Sequence, residues 1–166
     1  MSHHCCSSLE HKSPKHQEQM TERCPACGEK GRKVGHQTIQ SMLAISLEAL
    51  MPASSYRFCR SPDCKVVYFS ETEGLTFTEF DLREWVYQKH PEDERVFVCY
   101  CYQHTTASIR EELLTTGETT IIEKITAGTK AKTCACDLRN PQGTCCLGNV
   151  KAVVNKIKEG TSQEKR

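Results

Sequence analysis

Twelve cysteines in a chain of 166 residues constrain this protein more than any other feature of its sequence. They fall in close pairs: Cys5 with Cys6, Cys24 with Cys27, Cys59 with Cys64, Cys99 with Cys101, Cys134 with Cys136, and Cys145 with Cys146. An exported disulfide scaffold would carry a signal peptide, and the opening stretch MSHHCCSSLEHKSPKHQEQM has no apolar core of that kind. In a reducing compartment clustered thiols bind metal more often than each other. The expectation is therefore a cytoplasmic metal protein. The 22 Lys and Arg nearly cancel the 21 Asp and Glu. That balance gives no broad basic field for nucleic acid. No apolar run approaches the ~18 residues a membrane helix needs. Neither nucleic acid nor membrane is an expected partner.

The order of patterns predicts an α+β protein in which a small zinc-ribbon-like β domain precedes a mostly helical, helix-turn-helix domain. Residues 1–22 are polar and read as a flexible arm. Residues 23–88 form the expected β domain, 89–160 the helical one, and 161–166 a tail. TIQSMLAISLEALM is ambiguous and reads as more helical towards its end. YRFC and KVVYFS, rich in aromatic and β-branched residues, read as strands meeting at a turn. LTFTEFDLREWV starts extended and then carries Leu82, Trp85 and Val86 in a short helical turn. The charged run QKHPEDER marks the boundary, and VFVCYC reads as a strand. In the next helix Ile109, Leu113 and Leu114 share a face, and Gly117 closes it. Thr120 with Glu123 three residues on suggests a capping box for a second helix ending at Gly128. Leu147, Val150, Val154 and Ile157 recur at helical spacing in a third.

The motif CPACG sets Cys24 and Cys27 on one tight turn, and CRSPDC sets Cys59 and Cys64 on another. Two such pairs can close a tetrahedral site with Zn–S bonds of about 2.3 Å. Four protein ligands leave no position for a catalytic water, so the expected ion is a structural zinc. An all-sulfur tetrahedron also accepts a single iron. His36 is a substitute ligand or, more simply, a surface histidine. Structural zinc supplies on the order of 10 kcal/mol or more of folding free energy, and a small β domain with few apolar residues needs such a staple.

Cys99 and Cys101 stand at the end of a strand, and a helix-turn-helix length separates them from Cys134. Four cysteine thiolates can hold a [2Fe–2S] cluster, a close pair serving one iron and loop cysteines the other. A second zinc is the rival, with a less suitable spacing. Spacing alone allows Cys134 with Cys145 or Cys136 with Cys146. No acid–base pair, nucleophile constellation or phosphate loop is present, and His104 reads as a lone surface histidine. No dedicated substrate pocket is expected.

The order CYC, helix, TxxE helix, Cys is similar to the bacterioferritin-associated ferredoxin type of [2Fe–2S] domain. It departs at the last pair, where that family has a close C-x-x-C and this chain has a ten-residue step from Cys136 to Cys146. The fuller series CPAC, YRFCRSPDCKVVYF, VCYC and CDLRNPQGTCC resembles the N-terminal domain of archaeal CopZ-type copper chaperones, over roughly residues 24–150. The resemblance implies Cys24, Cys27, Cys59 and Cys64 as zinc ligands. It also implies Cys99, Cys101, Cys136 and Cys146 as ligands of a [2Fe–2S] cluster, leaving Cys134 and Cys145 spare. That family's M-x-C-x-x-C copper motif does not occur in this sequence. The function implied is one-electron transfer tied to copper handling: reduction of Cu(II) to Cu+, or a metallochaperone role. All-cysteine plant-type centres sit near ~−400 mV, low enough for that reduction. The implied partner is a copper-handling or electron-transfer protein, and Cys5, Cys6, Cys134 and Cys145 are candidates for holding Cu+. The other reading is an iron- or redox-sensing, ferredoxin-like module without a copper role.

Overall fold

The computed structural model describes residues 21–44, 55–72 and 74–164. Four short strands form an antiparallel sheet in the order β1 (Arg32–Val34), β2 (Tyr56–Phe58), β3 (Val66–Ser70) and β4 (Thr76–Thr78). Tyr56 pairs with Ser70 and Phe58 with Tyr68, so β2 and β3 make a hairpin around the Cys59–Cys64 turn. A bulge between Val66 and Tyr68 interrupts the β3–β4 ladder. An extra residue breaks the two-residue alternation. Val67 and Tyr68 therefore both join the core with Ile39, Leu43 and Phe58, while Val66 and Phe69 pack with Cys24, Cys59 and Cys64 on the other side. One face of the sheet is a hydrocarbon core, and the other carries the thiols.

Helix α1 (His36–Met42) takes in the start of the TIQSMLAISLEALM segment. The reason is burial: Thr38, Ile39 and Met42 pack inward at helical spacing. Residues 45–51, the end of that segment that reads as more helical, lie outside the described residues, as do Cys5, Cys6 and most of the expected arm. Its last two residues are docked, contrary to a flexible reading through position 22. The Thr21 N–H donates to the Glu71 carbonyl at 2.9 Å. Glu22 accepts from Arg57 at 2.6 Å and pairs with Lys30 at 2.7 Å. Arg57 is itself buried, donating to Glu71 at 2.5 Å and to the Gly31 carbonyl at 2.8 Å. A buried guanidinium is tolerated only when paired and hydrogen-bonded in this way. A Cβ on Gly31 would come within 2.5 Å of the Phe69 ring, so only glycine fits there.

After β4, Leu82 and Val86 are buried, but Trp85 is 59% exposed. Helical turns at Glu79–Asp81 and Tyr87–Lys89 flank these residues instead of containing them. The second half opens with the hairpin β5 (Phe97–Cys99) and β6 (His104–Thr105). Helices α2 (Thr106–Thr116), α3 (Ile121–Lys130), α4 (Cys136–Arg139) and α5 (Leu147–Glu164) follow. Gly117, at φ 77°, ends α2 as its sequence suggests. Ile109 and Leu113 are buried against Ile121, Ile125, Val150 and Val154, whereas Leu114 is 64% exposed.

Three local expectations fail for physical reasons. The capping box belongs to α2, where Thr105 and Ser108 exchange hydrogen bonds of 3.0–3.1 Å. Thr120 instead donates its N–H and hydroxyl to Glu112 on the preceding helix. Gly128 lies inside α3, because a side chain there would collide with the Tyr102 hydroxyl. Helix α5 runs on through Gly160 to Glu164, so part of the expected tail is helical. Among the described residues no helix is long and apolar enough to cross a membrane.

The two halves interlock. Thr38 and Ser41 of α1 donate to the Asp137 and Leu138 carbonyls of α4, each at 2.7 Å. The Tyr68 hydroxyl donates to the Pro141 carbonyl at 2.6 Å. Lys89, in the expected boundary run, donates to the Ser61 carbonyl on the second cysteine turn.

Candidate metal centres

The first centre is built by two turns facing each other. In the first, the Gly28 N–H closes on the Cys24 carbonyl at 2.8 Å, with Gly28 at φ +75°. In the second, the Cys59 N–H bonds to the Val67 carbonyl and the Cys64 N–H reaches the Ser61 carbonyl. The sulfurs of Cys24, Cys27, Cys59 and Cys64 all lie within 4.8 Å of one another. Cys24 and Cys64 are 3.8 Å apart, and Cys27 and Cys59 3.6 Å. Bonds of about 2.3 Å in a tetrahedron give edges near 3.8 Å, so the cage matches one thiolate-bound ion. His36 opens α1 and is not part of the group.

Backbone amides are aimed at this cage. N–H groups of Glu29, Ser61 and Val66 donate to the sulfurs of Cys27, Cys59 and Cys64. Burial still dominates at Cys59, whose thiol is pushed up to about 12, and it raises Cys64 as well. At the exposed Cys27 burial pulls the same way, but the Glu29 amide and the neighbouring thiols outweigh it and the net shift is downward. A metal-free cage therefore keeps protons on its inner sulfurs, and a cation must displace them.

The thiols of the second half are arranged differently. Cys101 and Cys136 sulfurs are 3.7 Å apart. Cys99 hydrogen-bonds with Cys146, the residue before α5. The close pair Cys99 and Cys101 thus does not act as one unit. A turn starts at Tyr100, so Cys99 reaches inward to the start of α5 while Cys101 meets the start of α4. Among the described residues, no three metal-ligating side chains converge here as they do in the first cage. The two pairs differ in depth: Cys99 and Cys146 are buried, and Cys101 and Cys136 are half-buried.

The Cys146 thiol holds Cys99 down at about 7, helped against burial by the Tyr102 and Cys101 amides. Cys146 keeps the proton and is raised by that same bond and by burial. Burial raises Cys136 and Cys101, and the nearby Cys134 thiol adds to both. His104, on β6, is half-buried rather than at the surface, and burial lowers its pKa.

The loop between Cys136 and Cys146 is fastened at its turn. Buried Asn140 donates its side-chain amide to the Thr144 carbonyl at 2.7 Å and accepts from the Gln142 N–H at 3.1 Å. Gly143, at φ +69°, passes close to Thr38. The spare thiols Cys134 and Cys145 lie outside both pairs, against the Thr129 hydroxyl. Three supports for this loop were not recognisable in advance, namely Tyr68, Thr38 and Gln88, which donates to Gln142 at 2.6 Å. All three act from the other half of the chain, where sequence spacing gives no signal.

A four-thiol cage stapling a small antiparallel sheet, joined to a helical unit, defines a zinc-binding α+β protein. Residues 21–83 match the zf_CopZ zinc binding domain. The fold is similar to the X-ray structure of the Archaeoglobus fulgidus CopZ N-terminal domain, with a TM-score of 0.64 and 29% sequence identity. That likeness covers 79% of this chain and 96% of that one. No curated protein matches the chain. The first half is thus similar to a zinc binding domain, and the chain resembles a CopZ N-terminal domain over most of its length.

Proposed function

We propose that this protein holds a structural zinc on Cys24, Cys27, Cys59 and Cys64 and a [2Fe–2S] cluster on Cys99, Cys101, Cys136 and Cys146, and that it transfers single electrons in copper handling. The observation that carries the second assignment is the division of those thiols into two pairs, where a single ion would need one convergent set. Two irons with two cysteine ligands each suit that division. Such a cluster supplies one electron at a time when bound.

The chain's own residues give the centre a direction. Cys99 and Cys146 seal one pair from water, and Cys101 and Cys136 leave the other near the surface. An electron-transfer or copper-handling protein would approach on the Cys101–Cys136 side. Amides of Tyr102, Cys101 and Ala135 donate to the sulfurs of Cys99 and Cys101, stabilising negative charge there.

The resemblance to CopZ-type copper chaperones suggests the copper link, and thiolate softness suits Cu+. Mixing the anaerobically reduced protein with Cu(II) tests the reading. One Cu+ should form for each cluster reoxidised. A cluster that stays reduced beside Cu(II) would rule out the reductase role.

A further inference from the structure

The geometry points to a third, surface metal site formed by Cys134, Cys145 and Thr129, which takes a single soft monovalent cation such as Cu+. It names where the cargo of the proposed copper function would sit, and to that extent rests on that reading. The Thr129 hydroxyl oxygen is the focus. Its one proton goes to the Ile125 carbonyl at 2.9 Å, so its lone pairs are free to accept. The Cys134 thiol approaches that oxygen at 3.5 Å and the Cys145 thiol at 3.7 Å. Two S–H groups from different segments thus converge on one oxygen, and one cation can replace both protons.

The donor set selects the cation. Only two sulfurs are present, and no further histidine, cysteine or carboxylate converges with them among the described residues. A tetrahedral zinc site is therefore incomplete here. Soft d10 monovalent ions accept two thiolates, with the hydroxyl oxygen as a weak third donor, and soft sulfur ligands select Cu(I). Two thiolates and one such ion carry a net negative charge. Cys145 opens on a cleft of about 570 Å³ whose other charged lining residues are Glu29, Lys30, Arg32 and Arg60, a net positive set. Arg32 and Arg60 form no ion pair among the described residues, so their charge is available to offset that excess. Both thiols are reachable, Cys145 being exposed and Cys134 half-buried. Cys134 is two residues from Cys136 and Cys145 directly precedes Cys146, so the site would adjoin the proposed cluster ligands.

The test uses the full, zinc- and cluster-loaded chain carrying Cys5→Ser and Cys6→Ser, titrated anaerobically with Cu+ against a chromophoric Cu+ chelator. One equivalent should bind without change in the cluster's visible absorption. Cys134→Ser and Cys145→Ser should each weaken binding by roughly 100-fold or more, with the cluster spectrum and circular dichroism retained. Thr129→Val should weaken it less. Undiminished Cu+ affinity in both serine variants would overturn the site, as would uptake that bleaches the cluster. The copper-reduction reading fails separately. If the parent binds Cu+ but its reduced cluster does not reduce Cu(II), the site stands and the reductase does not.

Discussion

The two halves of this molecule use cysteine in opposite ways. In the β half four sulfurs close on a single point, surrounded by Val66, Phe69 and backbone amides, and three of the four are buried. In the helical half four sulfurs form two separated pairs, one buried and one facing outward, with further thiols at the rim. A closed cage can only hold the fold together, because every ligand position is filled. A divided, half-exposed set can exchange something with a partner. Each set draws on four thiols, so their roles follow from where the backbone turns and not from the kind of ligand.

The contrast is broken most drastically by removing a cage ligand. Cys59→Ser or Cys64→Ser should unfold the sheet, since structural zinc contributes on the order of 10 kcal/mol. Thermal melts by circular dichroism should show loss of the first transition, and strong chelators should reproduce it. A well-folded sheet in either variant would contradict the staple.

In the helical half the same kind of substitution should act on colour before fold. Cys136→Ala or Cys146→Ala should abolish nearly all visible absorption, because a [2Fe–2S] centre needs all four thiolates. Cys134→Ala or Cys145→Ala should keep it. The helices, with their own core of Ile109, Leu113, Ile125, Val150 and Val154, should remain largely formed in far-UV spectra.

Acid should separate loaded from empty protein at the cage. With Cys59 at about 12 and Cys64 also raised, both sulfurs are protonated in metal-free protein at neutral pH. Zinc displaces those protons, so affinity falls as pH falls, by about tenfold per pH unit for each proton released. Competition titrations at pH 6, 7 and 8 measure that slope, and a flat profile would be inconsistent with it.

The smallest effect concerns the join between the halves. Tyr68→Phe removes the bond to the Pro141 carbonyl and should cost about 1 kcal/mol in denaturant unfolding. It should also loosen the Cys136–Cys146 loop, seen as faster cluster loss to chelator. An unchanged rate would mean Asn140 and Gln142 hold the loop alone.

Much of this was legible in the sequence where the signal is local. The CPACG and CRSPDC turns carry their own spacing, and YRFC with KVVYFS reads directly as the hairpin between them. Long-range choices were less visible. Gly128 looks like a helix end until Tyr102 is seen lying across it. Thr120 looks like a cap until Glu112 is found to take its donors. Leu114 and Trp85 fit an apolar stripe in sequence, yet α5 and the sheet cover only their neighbours. The pairing of Cys99 with Cys146 and of Cys101 with Cys136 depends on a turn at Tyr100 that spacing does not encode.

The most direct measurement is metal content and visible absorption of protein purified without oxygen. The two-centre account predicts about one zinc and two irons per chain, with a coloured protein whose absorption bleaches on reduction. A colourless protein binding two zinc ions would contradict it.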